Sequence, residues 1–326
     1  EPLTVVLFKM LGVFGRRIRR DGISFCESQI KGSIVNRKQA LSVVIPAFNE
    51  ENGITGVIEK INGALTSVEG LEYEIVVVDD GSTDGTSARA SAAKAQVITH
   101  PKNFGYGRSL LTGIDHSSHE LIAIIDADGT YDPRDLTRML PLMNIYDMVV
   151  GARSLPKQTL FVSLLRLLLK SIIFYFTAHR SIDPNSGLRI FTKEMVQQGR
   201  HLFSQKFSFS TSLTVYAALT HRFIEYLPIP YYERTGFSKV SHIRDSMRTF
   251  FLILSMALVF RPGRCFLAQT VACVGVMILL SCGKTFIGFE RWVEFTTIWL
   301  SVNLLTSFGF ISYLLSCLYD QAFRKR

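Results

Sequence analysis

Cysteine is scarce in this sequence, and its distribution argues against two kinds of stabilising site. The chain has five cysteines, an odd number, and four of them lie in an apolar C-terminal region: Cys265, Cys273, Cys282 and Cys317. This usage predicts neither a disulfide framework nor a zinc site. Histidines are scattered without metal-ligand spacing and are predicted to be ordinary surface or packing residues: His100, His116, His119, His179 and His221.

Glycine-rich phosphate-binding motifs are also missing. A dinucleotide-binding Rossmann unit needs G-x-G-x-x-G directly after its first strand, but the first predicted strand here continues into PAFNEENG. Gly105 and Gly107 follow the third predicted strand, and no third glycine completes the motif. The P-loop pattern G-x-x-x-x-G-K-[ST] does not occur in the sequence. Ordinary NAD-binding and P-loop functions are therefore disfavoured.

The sequence is poor in charge overall, and acidic residues are the minority. Charged residues make up 19%, aromatic residues 11%, and the net charge is +9. Mean hydropathy is +0.23, which points to a membrane-associated protein. A basic balance suits anionic lipid and phosphate substrates. Nucleic acid is not a predicted partner, because no nucleic-acid-binding motif accompanies the positive charge.

Alternating apolar and helix-like segments predict an α/β fold. The predicted strands are rich in β-branched residues and cover residues 41–49, 74–84, 96–100, 121–126 and 147–150. The predicted helices lie between them, at residues 51–68, 83–95, 105–116 and 133–145. Strands and helices that alternate at this spacing favour a mostly parallel sheet with helices on both faces.

Two carboxylates follow the fourth predicted strand, in the segment LIAIIDADGTYDP. Asp126 and Asp128 are two residues apart, so in a strand they would share one face. The cleft beyond the carboxyl ends of the strands is where open α/β sheets bind ligands. Paired carboxylates there are typical of a Mg²⁺ or Mn²⁺ site that also takes substrate phosphate oxygens. Taken alone, D-x-D is equally compatible with a solvated turn.

A series of motifs in a fixed order supports the metal-site interpretation. The motifs are VVIPAFNEE, VVVDDGSTDGT, NFGYGRSLLTG, DADGTYDP, VGARS, DPNSGLRIF and ERTGFSK. Together they resemble the polyisoprenyl-phosphate branch of the family 2 glycosyltransferases, which includes dolichol-phosphate mannose synthase and bacterial undecaprenyl-phosphate glycosyltransferases. The resemblance covers about residues 41–240. It implies a GT-A fold, a nucleoside diphosphate sugar donor and a Mg²⁺ or Mn²⁺ cofactor.

The resemblance also implies roles for individual residues. Nucleotide-binding positions are Pro46, Phe48, Glu50, Asp79, Asp80, Asp126 and Ala127. The metal ligands are Asp126 and Asp128. The catalytic positions are Asp128, Arg153, Arg234 and Lys239. Acceptor phosphate is assigned to Arg153, Arg166, Lys170, Ser171, Ser186 and Arg189. Thr130 stands where the family often has Gln or His as a third metal-side ligand, which leaves the metal shell incomplete.

Several of these positions also have another interpretation, and Arg234 and Lys239 could be membrane-surface cations without a specific ligand. Asp79 and Asp80 could begin a helix, and Glu50 could cap one. Arg153 could be a surface arginine. Arg189, embedded in the strand-like RIF, is as compatible with a structural role as with a functional one. The alternatives remain open on sequence alone.

The acceptor that the resemblance implies is a polyisoprenyl phosphate, and such an acceptor needs no general base. A phosphate monoester has a second pKa of about 6, so a lipid phosphate is already ionised near neutral pH. Positioning and electrostatic stabilisation then account for the rate. The expected reaction is in-line attack with inversion at the sugar carbon.

The C-terminal part is predicted to enter the membrane. Residues 266–282 and 295–318 are apolar runs near the roughly 20 residues that a spanning helix needs. Cations flank both ends of this pair, at Arg261 and Arg264 and again at residues 324–326. The positive-inside rule then places both flanks, and the catalytic domain, in the cytoplasm. We therefore expect a two-pass integral membrane protein whose transmembrane helical hairpin could also pair with other copies.

Two further segments are predicted to lie at the membrane surface. Residues 160–177 and 241–260 are apolar and carry cations one turn apart, which suits helices at headgroup level. Buried domain helices with snorkelling cations are the alternative. The N-terminal arm carries Arg16, Arg17, Arg19 and Arg20 after an apolar stretch, the reverse of a secretory signal.

The predicted domains follow from these segments. They are an N-terminal basic or amphipathic arm (1–40), a GT-A catalytic domain (41–240), an interfacial amphipathic helix (241–262), a two-helix transmembrane hairpin (263–321) and a basic tail (322–326).

Other functions compete with lipid-phosphate glycosylation. A processive polysaccharide synthase would carry Q-x-x-R-W after the D-x-D, but the Arg291–Trp292 pair lacks the upstream glutamine. Glycosylation of a different lipid or of a protein is a second alternative. A catalytically inactive scaffold that binds lipid phosphate or nucleotide is a third.

Overall fold

A seven-stranded sheet organises the computed structural model. The structure describes residues 40–154, 160–206, 208–232, 242–287, 293–304, 306–308 and 311. The strands are β1 (Ala40–Ala47), β2 (Glu72–Asp79), β3 (Gln96–Thr99), β4 (Leu121–Ile124), β5 (Met148–Arg153), β6 (Arg189–Thr192) and β7 (Ile224–Ile229). Their order in the sheet is β3-β2-β1-β4-β6-β5-β7.

One strand runs against the others. β6 pairs antiparallel with both β4 and β5, whereas the other neighbours pair parallel. The amino end of β6 therefore lies at the edge where the parallel strands end. The chain runs from β1 outward to β2 and β3, then crosses to β4 on the other side of β1. Such a reversal is where open α/β sheets form their ligand crevice.

Helices cover both faces of the sheet. They are α1 (Ile54–Leu65), α2 (Thr86–Ala92), α3 (Tyr106–His116), α4 (Arg134–Met139), α5 (Leu160–Thr177), α6 (Lys193–Gly199), α7 (Phe209–Leu219), α8 (His242–Phe260) and α9 (Pro262–Ile287). Alternate residues of β1 divide between two cores, as the strand period requires. Val43 and Ile45 pack with α1 and α4, and Val44 packs with α3, α7 and α8.

The prediction of a mostly parallel sheet flanked by helices is confirmed, with shorter elements. The second strand ends at Asp79, not at residue 84, because the chain turns at Gly81, where φ is +74°. The fourth ends at Ile124, so Asp126 and Asp128 lie in the following turn. The argument that they share a strand face is therefore wrong. Tertiary pairing made β6 antiparallel, which the segment pattern did not predict.

The apolar C-terminal sequence forms α8, α9 and a further helix at residues 293–304. Among the residues that the structure describes, no single helix is both long enough and apolar enough to cross a bilayer. One bent pair, Met247–Phe260 and Pro262–Val276, meets that test together, with an angle of 119° between the two. Residues 293–304 are helical and contact α9, where Cys273 Sγ donates to Asn303 Oδ1. Further along, Gln269 Nε2 donates to Thr306 Oγ1 at 2.9 Å. The predicted transmembrane hairpin is not confirmed.

Candidate active site

The loops that follow β1 and β2 are tied to each other. The Asn49 amide donates to Ser82 Oγ at 2.9 Å, and the Glu50 amide donates to Thr86 Oγ1 at 2.8 Å. Pro46 is buried near the end of β1, whereas Phe48 and Glu50 are half-buried in the loop that follows. The sequence-predicted nucleoside residues of β1 therefore sit in a loop whose backbone is held from the neighbouring strand.

Asp80 is an anchor for the loop between β3 and α3. Its Oδ1 accepts from His100 Nδ1 at 2.8 Å and from the Phe104 amide at 2.9 Å, and its Oδ2 accepts from the Gly105 amide at 2.8 Å. Since a carboxylate only accepts, Nδ1 of His100 donates to Asp80, and Nε2 is hydrogen-bonded to the Thr112 hydroxyl at 3.1 Å. His100 is thus a buried packing residue, one of the two roles that the sequence predicted for the histidines.

Asp79, in contrast, is engaged locally. Its Oδ1 accepts from the Ser82 amide at 2.9 Å, which closes the turn after β2. Both acids of the pair are almost completely buried, at 2% and 4% exposure. Of the two predicted nucleotide-binding acids, Asp80 has both oxygens bonded within the protein. In Asp79, the turn contact uses Oδ1 and not Oδ2.

Glycines of the β3–α3 loop pack against protein. A Cβ on Gly107 would lie 2.8 Å from the Gln205 carbonyl carbon, and one on Gly105 would lie 2.9 Å from Lys206 Cδ. The Arg108 amide, in the first turn of α3, donates to the Gln205 carbonyl at 3.0 Å. These glycines permit close approach of residues 204–206 to the start of the helix, which agrees with the sequence argument against a phosphate cradle.

Asp126 sits between a tyrosine and a glycine. The Tyr106 hydroxyl donates to Asp126 Oδ1 at 2.9 Å. On the other side, a Cβ added to Gly187 would lie 2.8 Å from Asp126 Cγ. The Gly187 amide donates to the Tyr131 hydroxyl at 2.7 Å. Burial, and then the charge of Asp126, raise the pKa of both tyrosines, so both remain protonated donors near neutral pH.

Asp128 is held by the residue two positions after it. Its Oδ1 accepts from the Thr130 amide at 3.1 Å and from the Thr130 hydroxyl at 2.7 Å. Ala127, between the two acids, is buried at 3% exposure. The Thr130 hydroxyl therefore acts on Asp128 in this structure.

The donor set of this turn suits a hard divalent cation. Asp126 and Asp128 offer carboxylate oxygens at the ligand edge of the sheet, and Mg²⁺ is commonly held by one or two carboxylates plus water and substrate phosphates. Within the described ranges, no group of three or more His, Cys, Asp or Glu side chains is arranged for a metal ion.

Arg153 lies at the end of β5 in a two-pronged ion pair. Its Nε and Nη2 donate to the two oxygens of Asp183 at 2.7 and 3.0 Å, and its guanidinium stacks 5.2 Å from the centre of the Tyr231 ring. Burial lowers the pKa of Arg153, but the Asp183 carboxylate more than offsets this, so the pKa is raised overall. The pKa of Asp183 is lowered, because Arg153 outweighs the effect of burial. Arg153 is therefore a fixed cation.

The structure gives Arg189 a structural role. Its side chain is fully buried. Nε and Nη2 donate to the Ser186 carbonyl at 3.2 and 2.5 Å, and Nη2 also reaches the Pro184 carbonyl at 3.2 Å. Nη1 donates to the Ser210 carbonyl and the Thr214 hydroxyl at 2.8 and 3.0 Å. All five N–H groups have partners, so the expectation that Arg189 binds acceptor phosphate does not fit its placement.

Residues 183–187 form a bridge across the site, and Arg189 holds that bridge. Asp183 meets Arg153 at one end, and Gly187 meets Asp126 at the other. Ser186, a predicted acceptor-binding residue, is fully buried within the bridge. The segment reaches the site because it directly precedes the antiparallel strand β6. It therefore lies at the edge of the sheet where the parallel strands end.

The three predicted residues of α5 separate onto different faces. Arg166 and Lys170 are half-buried on the inward stripe, which also carries buried Ile173. Burial, and then the charge of Arg153, lower the pKa of Arg166, which places that guanidinium near the Arg153–Asp183 pair. Ser171 is exposed, about 140° around the helix from Arg166 at 3.6 residues per turn. Arg234 and Lys239 lie outside the described residues.

Sequence reasoning missed the partners of the predicted residues. The ordered motifs contain Tyr106, Tyr131 and Asp183. A single tyrosine or acid has no characteristic spacing, so the sequence predicts no role for them. Asp183 had one cue, since an acid three residues before the buried SGLR segment is a natural partner for a nearby cation.

Known proteins resemble this chain in sequence. Residues 42–201 match the family model described as glycosyl transferase family 2. The chain is 31% identical over 252 residues to the low-salt glycan biosynthesis hexosyltransferase Agl6 of Haloferax volcanii, a match that covers 74% of this chain and 59% of that protein. It is 27% identical over 271 residues to the dodecaprenyl-phosphate galacturonate synthase of Rhizobium johnstonii, covering 78% of this chain and 77% of that protein.

Solved structures share the fold. Glucosyl-3-phosphoglycerate synthase from Mycobacterium tuberculosis, solved with Mn²⁺, UDP-glucose and phosphoglyceric acid, superposes with a TM-score of 0.54. The sequences are 22% identical, and the match covers 67% of this chain and 80% of that one. The described sheet and its helices are therefore GT-A-like.

Proposed function

This chain belongs to glycosyl transferase family 2, and we propose that it transfers a sugar from a nucleoside diphosphate donor to a polyprenyl phosphate. The donor is a UDP- or GDP-sugar, and the reaction takes place at the cytoplasmic face of a membrane. The family assignment confirms the recognition made from the ordered motifs. The name of the Rhizobium relative, a dodecaprenyl-phosphate galacturonate synthase, supports the acceptor class.

One observation carries the proposal of a lipid acceptor. Helix α5 keeps its cations, Arg166 and Lys170, half-buried and exposes several of its apolar residues. Leu167 is 61% exposed and Leu168 is 50% exposed, and Leu164 and Phe174 are similarly open. The helix also packs an apolar stripe that includes Ile173 and Phe176 against the core, whereas the outer face of a soluble surface helix is polar. An apolar outer face beside half-buried cations suits a helix lying on lipid next to a phosphate group.

The chemistry follows from where the charges lie. Asp126 and Asp128 would hold Mg²⁺ or Mn²⁺. A bound cation would neutralise charge on the departing nucleoside diphosphate. Arg153 lies beyond the bridge from Asp126, with Arg166 nearby, so cations flank the position where two anionic substrates must meet. The acceptor phosphate is already ionised near neutral pH and needs no proton acceptor from the protein. Arg234 and Lys239 remain predictions for the same junction.

A direct assay tests both substrates. Purified protein in detergent is incubated with a panel of radiolabelled UDP- and GDP-sugars, Mg²⁺ or Mn²⁺, and undecaprenyl, dodecaprenyl or dolichyl phosphate. We expect label in the organic phase only when lipid phosphate is present and chelator is absent. The matched control is the corresponding polyprenyl alcohol, which has the same chain and no phosphate. Equal transfer to the alcohol would contradict the proposed acceptor.

The alternatives give different products in the same assay. A scaffold without activity would bind nucleotide or lipid and release no labelled product with any donor. A transferase for a soluble acceptor would form a labelled product in the aqueous phase. This possibility is tested with 3-phosphoglycerate as the acceptor. Liposome flotation tests the membrane surface separately, since Leu167→Gln with Leu168→Gln should weaken flotation, whereas Glu59→Gln on the exposed face of α1 should not.

A further inference from the structure

We propose that Tyr106 and Thr130 are positioning residues that orient the carboxylates of Asp126 and Asp128 for a divalent cation. The inference rests on the proposed function and concerns two hydroxyl groups on different elements. Each hydroxyl donates to one oxygen of one acid. Tyr106 bonds Oδ1 of Asp126 at 2.9 Å, and Thr130 bonds Oδ1 of Asp128 at 2.7 Å.

The direction of the Tyr106 side chain is fixed by the start of α3. Gly105 has φ of +107°, a conformation that suits glycine, and Gly107 touches the backbone of residues 204–206. Asp80 accepts from the Gly105 amide directly before the tyrosine. The first turn of α3 is thus held from two sides, and the hydroxyl of Tyr106 meets Asp126 as a consequence of that backbone.

Thr130 reaches Asp128 through a glycine turn. Gly129 has φ of +72°, which lets the chain fold back so that the Thr130 amide and hydroxyl both point at Asp128 Oδ1. Thr130 itself is fully buried, and its carbonyl accepts from the Tyr232 amide at 3.0 Å. The threonine has little freedom to turn away. It therefore acts on the cation through Asp128, in place of a third ligand.

The small number of acids makes such orientation important. A site built on two carboxylates has few protein bonds to define its geometry, so the rotamers of those carboxylates set how well it binds. Hydrogen bonds to ligating carboxylates typically contribute 10–100-fold in metal affinity or activity. The Tyr106 and Thr130 hydroxyls each supply such a bond, one to Asp126 and one to Asp128.

The test measures metal binding directly, without sugar transfer. Mn²⁺ affinity is determined by electron paramagnetic resonance titration of the full chain in detergent, with saturating UDP and, separately, GDP. Tyr106→Phe and Thr130→Val each remove one hydroxyl with almost no change in shape. We expect each to weaken Mn²⁺ binding by about 10–100-fold. Thr130→Ser keeps the hydroxyl and should restore affinity.

Two controls separate positioning from general loosening. Tyr73→Phe removes a tyrosine hydroxyl that bonds Asn62 Oδ1 at 3.1 Å on α1, and it should leave Mn²⁺ affinity unchanged. Circular dichroism melting checks that each variant folds. If Tyr106→Phe does not fold, the Thr130→Val and Thr130→Ser comparison decides.

Several results would overturn the inference. These are wild-type Mn²⁺ affinity in the folded hydroxyl-free variants, equal affinities for the valine and serine variants of Thr130, and an equal loss in Tyr73→Phe. Failure of the wild type to bind Mn²⁺ with either nucleotide would also overturn it. That last result would leave the transferase proposal to the separate product assay, so the two failures are distinguishable.

Discussion

Replacing Gly187 with alanine should displace the carboxylate of Asp126, a proposed metal ligand, without changing any charge. The φ of Gly187 is not in the left-handed region, so alanine can adopt the backbone conformation. The new Cβ would lie 2.8 Å from Asp126 Cγ, whereas ordinary contact begins at 3.4 Å. The carboxyl carbon must therefore retreat by about 0.6 Å, and the nearer Oδ2 by more.

The retreat has two measurable consequences. Asp126 would move relative to the Tyr106 hydroxyl, and a hydrogen bond to a charged group contributes about 1.5–3 kcal/mol. A misplacement of about 1 Å at a reacting centre can lower the rate by about 100-fold. We expect kcat/KM for the sugar donor to fall by about 10–100-fold, which corresponds to about 1.4–2.7 kcal/mol of transition-state stabilisation.

The assay compares two glycine variants at matched concentrations. Gly56→Ala lies in α1, where a new Cβ meets nothing within 4 Å, and it should keep wild-type turnover. Labelled-lipid formation and Mn²⁺ affinity are measured for both variants, along with the melting temperature. Wild-type turnover and metal affinity in a folded Gly187→Ala protein would refute the close-packing argument.

Four other substitutions test the surroundings of the site. Arg189→Lys keeps the charge but lacks the planar donors, so we expect an unfolding free energy lower by about 3 kcal/mol or more in urea titration, since buried carbonyls lose partners. Asp183→Asn should be destabilising at pH 7 and less so near pH 3, because the lowered pKa of Asp183 adds stability above the unfolded value, about 3.9, and loses it as pH falls through the folded one. An equal gap at both pH values would contradict the ion-pair account. Asp80→Asn should lower the melting temperature more than Asp79→Asn, whereas Asp79→Asn should weaken nucleotide binding more in calorimetry.

Local sequence signals were sufficient for most of the parallel sheet. Apolar β-branched runs predicted β1 to β5, and the alternation with helical segments predicted helices on both faces. These features depend on residues near each other in the chain. The end of β2 and the antiparallel direction of β6 depended on turn geometry and on pairing between distant strands, which the segment pattern does not contain.

The site was predicted as residue types and not as contacts. The ordered motifs identified Asp126, Asp128 and Arg153, whose roles as ligands and phosphate cation remain predictions. The same motifs suggested an acceptor role for Arg189, but folding directs its guanidinium into the core. Arg234 and Lys239 lie outside the described residues, and the structure leaves them as predictions.

The sequence by itself determined the family, the order of β1 to β5 along the chain and the position of the acidic turn, because each depends on residues that are close together in the sequence. Tertiary structure alone decided which hydroxyl holds which carboxylate and which acid holds Arg153. Tyr106 and Asp126 are 20 positions apart, and Arg153 and Asp183 are 30 apart. Only the packing of the sheet brings such pairs within hydrogen-bonding distance, since no local pattern records a contact between separate elements.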